Sequence, residues 1–185
     1  QFDAERREHM RYGLADLEAG VVASSTTNYR LASVSKQFTA ASVLLLAEDG
    51  ALSVDDPVKR WLPSLPGAAD GITLRHLLSH TSGLVDYEDL VPAEQTRQVH
   101  DADVLRLLEH EDRLYFPAGS DYRYSNSGYA LLALVVERAS GQRYATFLQD
   151  RIFAPLGMAA TRARQDDGPA VTDRAYGYSR VEGHW

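Results

Sequence analysis

The sequence contains no cysteine, and its 185 residues carry a formal net charge of −7. Without cysteine the chain has no disulfides, no thiolate metal site and no thiol nucleophile, and the redox compartment stays undecided. The acidic balance argues against nucleic acid, which needs a basic surface. Long apolar runs are also missing, because a membrane-spanning helix needs about 18 such residues in succession. We therefore expect neither nucleic-acid binding nor a membrane span.

Lysine is scarce, since only Lys36 and Lys59 are lysines among the 19 basic residues. Lys36 opens a run without charge over residues 37–47. Apolar side chains in this region follow helical spacing on several faces, which predicts a helix in the protein interior. An ammonium at the buried start of such a helix is costly unless it has a use. Because a desolvated lysine can release its proton and arginine cannot, Lys36 is a candidate base.

Ser33 precedes Lys36 by three residues, so on a helix the two side chains would share a face. A hydroxyl beside a potential base is the arrangement of an activated nucleophile. The alternative is that Ser33 or Ser35 only caps the helix. A capping box would need Glu or Gln three residues later, and Lys36 and Phe38 stand there instead. The S-x-x-K motif therefore needs a partner elsewhere in the chain.

A polar, aromatic segment at residues 115–128 contains that partner. Tyr124 and Asn126 come directly before an apolar helix predicted to end at Gly141, so their side chains can be held over a pocket. A phenol can relay protons near a lysine, and a carboxamide can orient both lysine and substrate. The alternative is that Tyr124 is a packed aromatic residue and that Asn126 or Ser127 caps the helix.

Helix dominates the remaining pattern, and strand signals are scarce. Residues 12–31 predict one or two strands with turns, and the proline-containing residues 52–67 predict an extended connection with short helical turns. Further helices are predicted up to Gly83, within residues 101–114 and over residues 144–153.

Taken together, these motifs resemble the serine β-lactamase and penicillin-binding-protein superfamily, in particular its class C-like branch of D,D-peptidases, D-aminopeptidases and esterases. The resemblance runs from about Tyr12 to Tyr178 and includes the segments LASVSKQFTA, ITLRHLLSHTSGL and YSNSGYALL. It implies an α/β (α+β) class with a β-lactamase/transpeptidase-like fold in one domain over residues 1–185. The helical lobe would be mostly present and the antiparallel sheet incomplete. An exported, periplasmic location is favoured.

The resemblance also implies a role for each residue of the two motifs. Ser33 would be the acylated nucleophile, Lys36 its proton acceptor and Tyr124 the proton shuttle to the leaving group. Asn126 would bind substrate and hydrogen-bond to Lys36. No cofactor and no metal are implied. The small-molecule or peptide substrate would be a β-lactam, a D-amino-acid peptide or a carboxylic ester, and a non-catalytic ligand-binding relative or an inactive fragment stays open as an alternative.

One family element has no counterpart in the sequence. No K-T-G or H-x-G motif follows Asn126. The resemblance implies that this motif's strand provides one oxyanion donor beside the Ser33 amide, and loss of one such donor costs about 10²–10³ in rate. Strand-like segments are also too few for the sheet that the helices would cover. We expect a processed or partial chain, or another chain that completes the sheet.

Two weaker signals in the sequence do not predict a catalytic or metal-binding site. His76 and His80 have the four-residue spacing of helical zinc sites, but Leu77 occupies the position of the general-base Glu and no third ligand is evident. We expect His80 to hydrogen-bond within its own turn. The acidic segments DYEDL and HEDR are interpreted as solvated surface.

Overall fold

The computed structural model describes residues 12–92, 94–164 and 170–183. The chain divides into two compact units, a smaller one made of Gln1–Ser33 with Arg164–Trp185, and a larger one that is Val34–Ala163. Among the described residues no helix is both long and apolar enough to cross a membrane.

The smaller unit contains a two-stranded antiparallel sheet. Strand β1, Leu14–Asp16, pairs with strand β2, Val21–Val22. The backbone of Tyr176 extends this pairing, because its N–H donates to the carbonyl of Ala15 at 2.9 Å. One or two strands were expected in this part of the sequence, and the small, incomplete antiparallel sheet is confirmed for the described residues.

The larger unit is helical and is built around one central helix. Its α-helices are α1 Lys36–Glu48, α2 Val58–Trp61, α3 Leu74–Leu78, α4 Asp101–Leu108, α5 Asn126–Ser140 and α6 Tyr144–Leu148. A π-helix over Gln149–Phe153 continues α6. Helix α5 packs against α1, α3, α4 and α6, and its aliphatic side chains at Leu131, Leu132, Val135 and Val136 are fully buried. The core of this unit therefore surrounds α5.

Both ends of α5 follow from local sequence. The side chain of Ser125 accepts a hydrogen bond from the Gly128 N–H at 3.2 Å, which caps the first turn. Gly141 ends the helix in the left-handed conformation with φ of 69°, which glycine adopts without strain. The predicted end is confirmed, whereas the alternative that Asn126 or Ser127 caps the helix is wrong, because Ser125 occupies that position.

Helix α1 packs on more than one face, as its spacing predicts. Its buried residues are Thr39, Ser42, Val43 and Leu46. Phe38, Ala41 and Leu45 are partly buried and pack against α6 and the π-helix. Val34, which shares their spacing in the sequence, precedes the helix and is 58% exposed. The polar residues can be buried because the Ser42 hydroxyl donates to the Phe38 carbonyl at 2.8 Å and the Thr39 hydroxyl pairs with that of Tyr144 at 2.6 Å.

Helix α3 is shorter than predicted, since it ends at Leu78 and not at Gly83. His80 has a φ of 59°, a left-handed conformation that cannot continue a right-handed helix. Gly83 has a φ of 72°, and a Cβ there would lie 1.9 Å from the carbonyl oxygen of Phe116. Because the helix stops before His80, this residue and His76 do not share a helix face.

Candidate active site

Ser33 lies in the 3-10 turn Ala32–Ser35, which leads directly into α1 at Lys36. Ala32, the residue before it, has a φ of 45°, a conformation disfavoured for residues with a Cβ and found at functional sites. Ser35 directly precedes α1, and its side chain makes no capping hydrogen bond. The capping alternative is therefore wrong for Ser35, and the nucleophilic role of Ser33 stays a prediction.

The ammonium of Lys36 contacts the first residue of α5. Lys36 Nζ donates a hydrogen bond of 2.6 Å to Asn126 Oδ1, across 90 positions of sequence. The contact forms because α1 packs against α5 and each residue is the first of its helix. The positive ends of two helix dipoles disfavour a cation here, so the carboxamide oxygen provides a compensating acceptor.

Two tyrosine rings also face Lys36. Its Nζ lies 4.8 Å from the ring centroid of Tyr124 and 5.5 Å from that of Tyr129, within the range of cation–π attraction. The Tyr129 hydroxyl donates to the Leu78 carbonyl at 3.0 Å, and burial, with the neighbouring Tyr124, raises the pKa of this phenol. Tyr124 is 44% exposed, so it is not the packed aromatic residue of the alternative interpretation.

Two carboxylates hold Asn126 in place. Its backbone N–H donates to Asp86 Oδ2 at 2.6 Å, and its side-chain Nδ2 donates to Glu88 Oε1 at 3.0 Å. The interpretation of DYEDL as solvated surface is wrong for Asp86, which is only 8% exposed. Burial is possible because Asp86 is satisfied by backbone donors at the start of α5 and by the Glu88 N–H at 3.2 Å. Only the position of this segment, one residue after HTSGL, could have drawn attention to it.

His80 contacts the segment before α5. Its Nδ1 accepts a hydrogen bond from the Ser125 N–H at 3.1 Å, so the bond expected within its own turn is wrong. His76 Nδ1 instead accepts from the Thr73 N–H at 3.2 Å, in the capping box of α3. Within residues 12–92, 94–164 and 170–183, no three His, Asp or Glu side chains are grouped in a way that could hold a metal ion.

The larger unit thus brings together three of the four residues selected from the sequence: Lys36, Tyr124 and Asn126. A lysine held by a carboxamide can accept a proton, and the exposed phenol beside it can relay one. A nucleophilic hydroxyl is activated by a base placed in this way. These helices, with the S-x-x-K and Tyr-x-Asn segments at their starts, are the arrangement that the resemblance to the β-lactamase/transpeptidase-like class of fold implies.

Comparison with known proteins agrees with this class. The family model described as Beta-lactamase matches residues 3–185. The chain therefore belongs to this family.

Two solved structures are similar to this chain. A penicillin binding protein from Bacillus halodurans superposes with a TM-score of 0.78 at 33% identity, over 94% of this chain and 53% of the other. D-amino acid amidase from Ochrobactrum anthropi SV3, complexed with L-phenylalanine amide, gives 0.80 at 31% identity, over 94% and 51%. The predicted fold class is confirmed.

A curated relative is Penicillin-binding protein 4* of Bacillus subtilis (strain 168), which is 39% identical over 175 residues. The match covers 92% of this chain and 38% of the relative. The chain spans about half the length of the two solved structures and a smaller share of this relative.

Proposed function

We propose that this chain carries the nucleophile, base and proton shuttle of a serine hydrolase that works through an acyl-enzyme on Ser33. The observation that supports this most directly is the 2.6 Å hydrogen bond from Lys36 to Asn126, beside the exposed ring of Tyr124. Membership of the Beta-lactamase family, and similarity to a penicillin binding protein and an amidase, favour acyl transfer over a purely binding role.

In the proposed reaction, Ser33 Oγ forms a bond to the substrate carbonyl carbon while its proton passes to Lys36 Nζ, which accepts it in the neutral amine form. The backbone N–H of Ser33 is one donor to the oxyanion of the tetrahedral intermediate. The bond from carbonyl carbon to the leaving nitrogen or oxygen then breaks, and Tyr124 relays a proton to that atom. Water attacks the resulting ester, which releases the acid and restores Ser33. Asn126 orients Lys36 and binds the acyl group.

Three substrate classes fit this chemistry: β-lactams, D-amino-acid peptides or amides, and carboxylic esters. Each presents a carbonyl carbon with a nitrogen or oxygen leaving group. The relatives named above favour the first two over esters. Acylation rates with a chromogenic cephalosporin, a D-alanyl amide and a short-chain nitrophenyl ester would rank the three directly.

We propose further that residues outside this chain supply the second oxyanion donor and the missing strands. The support is that the chain covers 51–53% of two solved structures and that no K-T-G or H-x-G follows Asn126 in its sequence. Those residues would lie in a longer native chain or in another chain that completes the sheet. Labelling is therefore best done in the longest native protein that contains this chain.

Covalent labelling with a fluorescent penicillin and a fluorophosphonate tests the proposal. Ser33→Ala should abolish labelling with an unchanged far-ultraviolet circular dichroism spectrum. Ser35→Ala is the matched control, because its side chain does not cap α1, and it should keep labelling. Equal labelling of the wild type and Ser33→Ala would remove the hypothesis, and an unlabelled wild type would favour a ligand-binding relative or an inactive fragment.

A further inference from the structure

His80 binds the backbone on both sides of Tyr124. Its carbonyl oxygen accepts from the Arg123 N–H at 3.0 Å, and its side-chain Nδ1 accepts from the Ser125 N–H at 3.1 Å. The two bonds come from one residue because His80 has a left-handed backbone, with φ of 59°, which disfavours most side chains. A positive φ is uncommon outside glycine, and such positions occur at functional sites.

The imidazole also packs against the tyrosines that face Lys36. Its ring centroid lies 4.5 Å from that of Tyr124 and 5.1 Å from that of Tyr129, each at an interplanar angle of 32°. Tyr122 meets the same ring edge-on at 6.0 Å. His80 therefore restrains Tyr124 through both backbone neighbours and through the ring itself.

We infer that His80 is a positioning residue that holds Tyr124 and the start of α5 against Lys36 only while its imidazole is neutral. The inference rests on the proposed function for its effect on catalysis. The Ser125 N–H occupies Nδ1 as an acceptor, so the neutral ring carries its proton on Nε2. A second proton would have to go to Nδ1, where it would set one N–H against another and break the bond.

Two charged groups from different segments act on His80. Lys36 at the start of α1 repels a protonated imidazole, and Asp86 in the loop before α4 attracts it. The rings of Tyr122, Tyr124 and Tyr129 also face the imidazole. Burial, followed by the cation of Lys36, lowers the pKa of His80 below its ordinary value of 6.5.

The lowered pKa of His80 determines the direction in which acylation should depend on pH. Above pH 6.5 His80 is neutral and the Ser125 bond is intact, whereas protonation at lower pH loosens the segment that carries Tyr124 and Asn126. Below the pKa of His80 the fraction of neutral imidazole falls about tenfold per pH unit, and the acylation rate should fall with it.

Two substitutions at position 80 distinguish the contribution of the hydrogen-bond acceptor from that of the aromatic ring. Asn at position 80 tolerates the left-handed backbone and offers Oδ1 near the place of Nδ1, but it does not titrate. His80→Asn should keep the acylation rate at neutral pH, and its rate should not show the fall at low pH that protonation of His80 causes. Phe retains a ring without an acceptor, so His80→Phe should lower acylation by about 10²-fold at every pH, as a misplaced catalytic group does. His110→Asn, at an exposed histidine on the turn after α4, is the control and should match the wild type.

A measurement on the wild-type protein keeps the inference testable if a variant fails to fold or if no acylation occurs. In nuclear magnetic resonance titrations, the Cε1 proton of His80 should titrate below pH 6.5, and the ring protons of Tyr124 should shift with the same midpoint. Tyr124 signals that ignore the His80 titration, or an acid-side slope in His80→Asn equal to that of the wild type, would overturn the inference. An unlabelled wild type with coupled titrations would remove the proposed function alone.

Discussion

The two helices that carry the candidate site begin in different ways. Helix α1 begins at Lys36 after a 3-10 turn, and the side chain of Ser35 does not cap it. Helix α5 begins at Asn126 and is capped by the hydroxyl of Ser125. Its first residue is held further by Asp86, which accepts from the backbone N–H at 2.6 Å. Polar side chains thus secure the backbone at the start of α5, and at the start of α1 Lys36 itself reaches across to the other helix.

The starts of the two helices therefore have different proposed roles. At the start of α5, a cap and a buried carboxylate satisfy the backbone donors and so fix the orientation of Asn126. A reacting group needs neighbours that are held rigidly in this way. Lys36 is the proposed reacting group and is held by a hydrogen bond to Asn126 and by the faces of two tyrosine rings. Changes at the start of α1 should therefore reduce acylation with little loss of stability, and changes at the start of α5 should reduce stability first.

The largest effect is expected for Lys36→Arg. Arginine keeps the charge but cannot accept a proton, so acylation should fall by about 10²–10⁴-fold while the unfolding midpoint changes little. The measurement is the rate of labelling by a penicillin probe, beside a urea unfolding curve. Lys59→Arg is the matched control, since Lys59 forms an exposed ion pair with Asp70 at 2.6 Å. A Lys36→Arg rate within about threefold of the wild type would make this lysine structural only.

A smaller effect, on stability, is expected for Asp86→Asn. The buried carboxylate accepts from the N–H groups of Asn126 and Glu88 through different oxygens, and an amide would place an NH₂ group against one of these donors. The free energy of unfolding should fall by about 1–3 kcal/mol, measured by urea denaturation. Asp70→Asn, at an exposed ion pair, should change it by less than about 1 kcal/mol. Equal stability of the two variants would contradict the role given to Asp86.

The smallest effect compares the two serines that precede the helices. Ser125→Ala removes the cap of α5 and should lower the free energy of unfolding by about 1 kcal/mol. Ser35→Ala should leave it nearly unchanged, because the Ser35 side chain makes no capping bond. Urea unfolding of both variants under one condition decides the matter. Equal losses at the two positions would show that the helix starts are alike in how they are secured.

Local sequence was sufficient for the parts of the molecule that depend on near neighbours. The end of α5 at Gly141 was predicted from an apolar repeat followed by glycine, because left-handed termination is a property of a few adjacent residues. Which of the adjacent polar residues caps the start was not predicted, since Ser125, Asn126 and Ser127 are all capping residue types. The selection of Lys36 rested on the scarcity of lysine, and that of Tyr124 and Asn126 on their position directly before an apolar helix. The structure places these three side chains together.

Tertiary structure alone decided which polar residues are buried and what they bind. Asp86 and Asn126 are 40 positions apart, and His80 and Ser125 are 45 apart. The same holds for Thr39, whose hydroxyl is satisfied by Tyr144 from another helix. A polar side chain enters the interior only where a distant segment supplies its hydrogen-bond partner, and the spacing of residues along one segment carries no record of that partner.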